Sequence, residues 1–171
     1  MVKRLFLIRH AKSSWAAPGL DDFARPLNKR GKKDAPEMAA RLVRTGVVPD
    51  LVVASPAKRA RKTAIHMAEA TGYEKADIRY DDDLYLGILS YHLQLITELL
   101  HGVDTLFLVG HNNTVTELAE YLTGRYLGNV PTCGIVALEF TGPAGFTGKK
   151  ASAHLLFFDF PKNSSDTGID P

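Results

Sequence analysis

Cysteine is almost missing from this chain. Cys133 is the single cysteine among 171 residues, so no intrachain disulfide can form and no cluster of thiolates can hold a metal. That usage fits a reducing compartment, and the expectation is a cytoplasmic protein. Long apolar runs are missing as well. None approaches the roughly 18–20 residues that a membrane span requires. The N-terminal run Leu5-Phe6-Leu7-Ile8 is also shorter than the roughly 7–15 residues of a secretory core. Charge of one sign is not in excess: the net charge is +2, with basic residues spread along the chain, which leaves no footprint for a nucleic-acid partner. Internal repeats and linker-like composition shifts are absent too. The expectation is one domain over residues 1–160, large enough to bury a substantial core, followed by a polar, flexible tail at 161–171.

What is present is a series of short apolar runs, each ending abruptly in polar chemistry. Residues 3–9, 51–54 and 106–109 read as buried strands, because brief runs of branched and aromatic residues bounded by turn signals fit a sheet covered on both faces. Helical spacing predicts helices over about 29–45, 88–101 and 114–123. Ser55-Pro56 predicts another over about 57–71, serine serving as N-cap and proline suiting the first turn. Residues 11–27, with Pro18, Gly19 and Pro26, read as an irregular loop. Residues 78–80 suggest a short strand before the acidic triplet Asp81-Asp82-Asp83. Residues 134–140 and 151–158 suggest two further strands joined by a Gly/Pro-rich turn. Alternating strands and helices predict an α/β fold: a three-layer α/β/α sandwich with a mostly parallel central sheet and an antiparallel edge.

In a parallel sheet the carboxyl ends of the strands share one edge, and ligands bind there. Three loaded junctions would meet on it: Arg9-His10, Ser55 through Arg59, and Gly110-His111. Two histidines and two arginines then converge. An arginine fork matches phosphate oxygens, and a helix start near Ser55 adds free N–H groups, so the natural guest is a phosphoryl group.

These residues also resemble a family. Arg9-His10-Ala11-Lys12-Ser13, with Trp15 following, is similar to the Arg-His-Gly signature of the histidine phosphatase (phosphoglycerate mutase-like) superfamily. Ser55-Pro56-Ala57-Lys58-Arg59-Ala60-Arg61-Lys62-Thr63 resembles its second motif, and Val109-Gly110-His111-Asn112 its late Gly-His motif. The resemblance spans roughly residues 3–157. The compact length and the segment Arg25-Pro26-Leu27 with Gly31 look most like the small SixA-type protein-phosphohistidine phosphatases. Two departures stand out: Ala16 replaces an asparagine that mutase-like members often place near the phosphate, and the mutase-type glutamate acid has no obvious counterpart.

The resemblance implies that His10 is the nucleophile, forming a phosphohistidine intermediate that water hydrolyses. It implies that Arg9, Arg59, His111 and Arg25 neutralise the phosphoryl oxygens, with Ser13 a further phosphate contact. Asp83, or Asp82 beside it, is the nearest match for a general acid. A phosphoramidate leaving group tolerates a weak or absent acid, because its nitrogen protonates readily. No cofactor and no metal is implied, since the arginines supply the positive charge and no carboxylate cluster accompanies the histidines. The expected partner is a phosphorylated protein, such as a histidine-containing phosphotransfer domain, towards which Lys12 and Lys58 would add a long-range attractive field. The first alternative is a phosphatase of a small phosphate ester or sugar phosphate. An alternative of another class is a non-catalytic phosphate-binding module, although a binder needs no nucleophile. A mutase is disfavoured by length. His66, His92, His101 and His154 read as packing or surface residues, Arg61 and Lys62 as a basic rim or solvated face, Trp15 as a cover at the pocket edge, and Cys133 as packing.

Overall fold

A computed structural model describes residues 1–163. Six strands and four α-helices follow one another among them: β1 (Val2–Arg9), α1 (Lys29–Arg44), β2 (Leu51–Ala54), α2 (Lys58–Ala70), β3 (Arg79–Tyr80), α3 (Leu89–Gly102), β4 (Thr105–Gly110), α4 (Thr114–Thr123), β5 (Ile135–Thr141) and β6 (His154–Asp159). They form one sheet in the order β3-β2-β4-β1-β5-β6. β1, β2, β3 and β4 are parallel, while β5 pairs antiparallel with both β1 and β6. This is the expected mostly parallel sheet with an antiparallel edge. Most of the tail expected to be flexible lies outside the described residues. Its first part, Pro161 to Asn163, is tied to α1 through Arg41, which donates to the carbonyls of Phe160, Pro161 and Asn163 and to the Asp159 carboxylate.

The continuous apolar runs have a simple cause. Successive side chains of a strand point to opposite faces, and both faces of this sheet are covered. Phe6 and Ile8 of β1, Val52 and Ala54 of β2, and Phe107 and Val109 of β4 join Ala35, Met38, Ala39 and Leu42 of α1 and Ala60, Ala64 and Met67 of α2 in one core. Leu5, Leu7, Val53, Leu106 and Leu108, the alternate residues of the same strands, join α3 and α4 in a second core on the other face. No helix among the described residues is long and apolar enough to cross a membrane.

Two local details differ from the sequence expectation. Ser55 is not the N-cap of α2. Ala57 holds that position without a side-chain hydrogen bond, and Ser55 is fully buried, its hydroxyl accepting from the Ala57 N–H at 3.3 Å and lying 2.8 Å from His111 Nε2. The loop at 11–27 is also less irregular than expected. It contains a 3-10 turn at Asp22–Ala24, and Ser13 pairs with Leu27 in a two-residue antiparallel bridge. The loop lies hard against the start of α1: a Cβ on Gly31 would meet the Lys12 carbonyl oxygen at 2.1 Å. Only glycine allows that approach, and Asn28 caps the same turn by accepting from the Gly31 N–H. The loop that carries Lys12 and Ser13 is thereby fixed to a helix.

Candidate active site

The parallel register brings the three loaded junctions together. Arg9 is opposite Gly110, and Ala54 is opposite Val109. The next residues continue the ladder, His10 N–H donating to the Gly110 carbonyl and Ser55 N–H to the Val109 carbonyl, both at 3.0 Å. At this edge opens a cleft of about 360 Å³ whose walls include Arg9, His10, Ser13, Arg25, Arg59 and His111. Six of the seven candidates read from the sequence therefore share one cleft. Lys12 and Trp15 line its rim.

Asp83 is the exception and requires a correction. The chain turns through a 3-10 segment at Asp82–Leu84, which buries Leu84 and leaves Asp82 and Asp83 exposed. Neither lines the cleft. Tyr85 and Leu86, a turn further on, reach it instead. Asp81 is spent on capping, accepting from the Asp83 N–H and from the Tyr91 hydroxyl.

His10 is buried, and its two ring nitrogens have different tasks. Nδ1 lies 2.7 Å from the Ala11 carbonyl oxygen. A carbonyl only accepts, so Nδ1 carries the proton and the lone pair is on Nε2. Arg59 Nε donates to that lone pair at 3.3 Å. Burial pushes the His10 pKa down to about 3, the neighbouring His111, Arg59 and Arg9 adding to the effect and the Ala11 carbonyl opposing it. The ring is thus neutral over the ordinary pH range, with its lone pair on Nε2. Thr63 of α2 braces the segment: its hydroxyl accepts from the Ala11 N–H and donates to the Arg59 carbonyl.

His111 sits with its ring centroid 5.1 Å from that of His10. Its Nε2 lies 2.8 Å from the Ser55 hydroxyl, and its Nδ1 lies 3.5 Å from Arg59 Nη2. A guanidinium can only donate, so Nε2 carries the proton and points it at Ser55. Burial, then Arg59, lowers this pKa to about 4, with Asp22 opposing. Arg9 donates to the Val130 carbonyl through Nη1, while its Nε is buried without a hydrogen-bond partner among the described residues. An unpaired donor at a cleft wall is a place for an acceptor.

Sequence reasoning missed Asp22. Its carboxylate accepts from Arg25 Nε at 2.9 Å, from Arg59 Nη2 at 3.1 Å and from the Tyr85 hydroxyl at 2.5 Å. Its carbonyl accepts from Arg59 Nη1 at 2.6 Å. The Tyr85 hydrogen bond, then the two arginines, hold its pKa at about 2. The spacing of Asp22 and Arg25, three apart, was the one signal available. Tyr85 was missed as well; it stacks edge-on with both Phe23 and His111.

The rim is apolar. Trp15 covers Arg25, whose guanidinium carbon lies 3.5 Å from the ring centroid, yet the indole stays 77% exposed. Leu86 is 82% exposed. The other candidates fall away from the cleft: Lys58 and Lys62 are exposed, Arg61 stacks on Tyr80, and Ala16 faces solvent. His92 is buried, with Nδ1 against the Ile88 carbonyl, and His66, His101 and His154 lie outside the cleft. Cys133 is buried, and burial raises its thiol pKa to about 12.

Residues 5–85 match the model of the histidine phosphatase superfamily, branch 1. A chloroplast protein of Arabidopsis thaliana is 34% identical over 148 residues, which cover 82% of this chain and 67% of that protein. A solved structure from Agrobacterium tumefaciens, provisionally assigned as the phosphohistidine phosphatase SixA, is 33% identical. It superposes with a TM-score of 0.79 over 93% of this chain and 98% of that one. This chain belongs to the histidine phosphatase superfamily. Phosphoserine phosphatase 1 of Hydrogenobacter thermophilus is 40% identical over 95 residues, 52% of this chain and 44% of that enzyme.

The two neutral histidines leave a mark on the stability of this superfamily member. Both pKa values lie below the ordinary 6.5, at about 3 and about 4. On acidification the unfolded chain takes up protons near 6.5, whereas the folded chain does not until far lower. Stability is therefore complete above about pH 6.5 and falls as the pH drops towards 4, each histidine contributing up to about 1.4 kcal/mol per pH unit. Urea denaturation at pH 7, 6 and 5 should show the midpoint falling stepwise. A midpoint constant across that range would mean that these rings titrate normally.

Proposed function

We propose that this protein hydrolyses phosphohistidine on a phosphorylated protein, by way of a covalent phosphohistidine on its own His10. The observation that carries the reading is the state of His10: neutral, fixed by Nδ1, with the Nε2 lone pair turned into a cleft against Arg59. In the first step Nε2 bonds to phosphorus as the bond to the leaving group breaks, the electron pair staying with the leaving atom. Arg59, Arg9 and Arg25 face the oxygens, where transition-state charge accumulates. Arriving dianionic charge raises the affinity of His111 for a proton, turning Nδ1 from acceptor to donor. Water then attacks the phosphorus, and the bonding pair returns to Nε2.

Three features support a protein substrate. The exposed side chains of Trp15 and Leu86 at the mouth suit contact with an apolar protein surface. Asp82 and Asp83 do not line the cleft, and a phosphoramidate needs less help from an acid than an alcohol does. The Agrobacterium protein, similar over nearly its whole length, carries a phosphohistidine phosphatase assignment.

The test is to offer the enzyme a phosphorylated phosphotransfer domain beside a panel of phosphate monoesters, quenching samples at alkaline pH for mass spectrometry. Phosphate on His10 together with preferred turnover of the phosphorylated domain is the expected result. Preference for a small ester by orders of magnitude would move the substrate to that class and leave the chemistry in place. Phosphate binding with neither label nor turnover would make the protein a binding module.

A further inference from the structure

The cleft wall carries one carboxylate, Asp22, and the mechanism above gives it no task. It is an awkward residue for a phosphate site. A carboxylate beside a phosphoryl dianion repels it, and Asp22 also draws on the charge of Arg25 and Arg59, the groups that phosphate needs. The short route from nucleophile to carboxylate runs through one side chain: His10 Nε2 to Arg59 Nε at 3.3 Å, then Arg59 Nη2 to Asp22 Oδ2 at 3.1 Å. A phosphoryl group seated on Nε2 and Arg59 therefore has Asp22 as a close neighbour. The Asp22 side chain remains 42% exposed, so a substrate can reach it.

An ionised carboxylate cannot donate a proton, but it can hold a cation. Phosphohistidine brings one. When the imidazole nitrogen remote from phosphorus is protonated, the ring is cationic. Breaking the P–N bond then returns the electron pair to the ring, which departs as neutral imidazole with no further proton required. An unprotonated ring would have to leave as an anion. A carboxylate that pairs with the ring N–H favours the reactive form.

We infer that Asp22 is a specificity-determining residue: the counter-ion for a substrate whose leaving group is a protonated nitrogen base, selecting phosphoramidates over phosphate esters of neutral alcohols. The inference rests on the reading of the site as a phosphohistidine phosphatase. As the phosphoryl oxygens take over Arg25 and Arg59, the carboxylate loses part of its own pairing. The substrate's ring cation replaces what is lost. The phosphoryl group and Asp22 then carry opposite partners in place of competing for the same arginines.

The experiment compares kcat/KM for a phosphohistidine peptide and for p-nitrophenyl phosphate in the wild type, Asp22→Asn and Asp22→Glu. The quantity read is the ratio of the two. Asp22→Asn should lower that ratio about tenfold or more, the scale of a lost charged contact, and Asp22→Glu should restore most of it. Because both substrates share the phosphoryl site, general damage cancels in the ratio, and circular dichroism confirms the fold of each variant. Equal losses on both substrates would overturn the inference, leaving Asp22 as a brace for its two arginines. A ratio unchanged in Asp22→Asn would do the same. Wild-type turnover of the ester without any of the phosphopeptide would instead sink the substrate reading itself, and this inference with it.

Discussion

Asparagine in place of His10 is expected to abolish turnover while leaving phosphate binding within a few-fold of wild type. The amide can still donate to the Ala11 carbonyl as Nδ1 does, so the loop from β1 keeps its anchor. What goes is the lone pair. Removing a covalent nucleophile typically costs about 10⁴- to 10⁶-fold in kcat. The phosphoryl oxygens are held by other residues, and their contacts survive. Burst kinetics and titration with inorganic phosphate separate the two effects. Residual turnover above about a hundredth of wild type would point to a different nucleophile or to direct attack by water, because so small a loss is outside the range for removal of a covalent catalyst.

The second large effect is expected at Arg59. This side chain is 5% exposed and has partners on every side: His10 Nε2, the carbonyl and carboxylate of Asp22, and His111 Nδ1. Alanine removes the central cation of the cleft, and under the proposed mechanism kcat/KM should fall by about 10³- to 10⁵-fold, the scale of a catalytic arginine in phosphoryl transfer. Lysine is the more informative change. An ammonium is a point charge on a flexible stem, and it cannot span the His10 nitrogen and the Asp22 carboxylate as a planar fork does. Arg59→Lys should therefore recover only a small part of the loss. Recovery to within tenfold of wild type would show that positive charge alone suffices and that the fork geometry is incidental. The Arg59→Ala variant should also let the His10 pKa rise, since Arg59 is one of the groups that depresses it. The acid limb of its pH profile should move upwards accordingly.

The parts of this protein that were legible from sequence are those governed by local pattern. Leu106 to Val109 reads as a buried strand because all of β4 is buried, and a run covered on both faces carries no polar interruption. Arg9, His10, Arg59 and His111 were legible because each stands where an apolar run ends or a helix begins, and a parallel sheet gathers such places at one edge. Asp22 was not legible as a site residue. Its partners Arg59 and Tyr85 lie 37 and 63 residues away, and nothing in the loop announces them. Asp83 misled for the converse reason: an acid before Leu84-Tyr85 looks well placed until the 3-10 turn carries it outward. Ser55 looked like a cap because a serine before proline usually is one. Its hydroxyl does accept from the Ala57 N–H, but the strand ladder also carries it to His111.

The central position of β1 sets the time at which the cleft can form. β1 lies between β4 and β5, with Arg9 in register with Gly110 and Val2 with Thr141. His10 is synthesised 100 residues before Gly110 completes β4 and 125 residues before Ile135 opens β5. At typical synthesis rates that interval is about 5 to 25 seconds. Throughout it His10 is an ordinary imidazole, without the burial and charged neighbours that hold it neutral. A chain interrupted before β4 carries the first two sequence motifs complete and has no cleft between them. The cleft is complete only when the late strands pair with the early one.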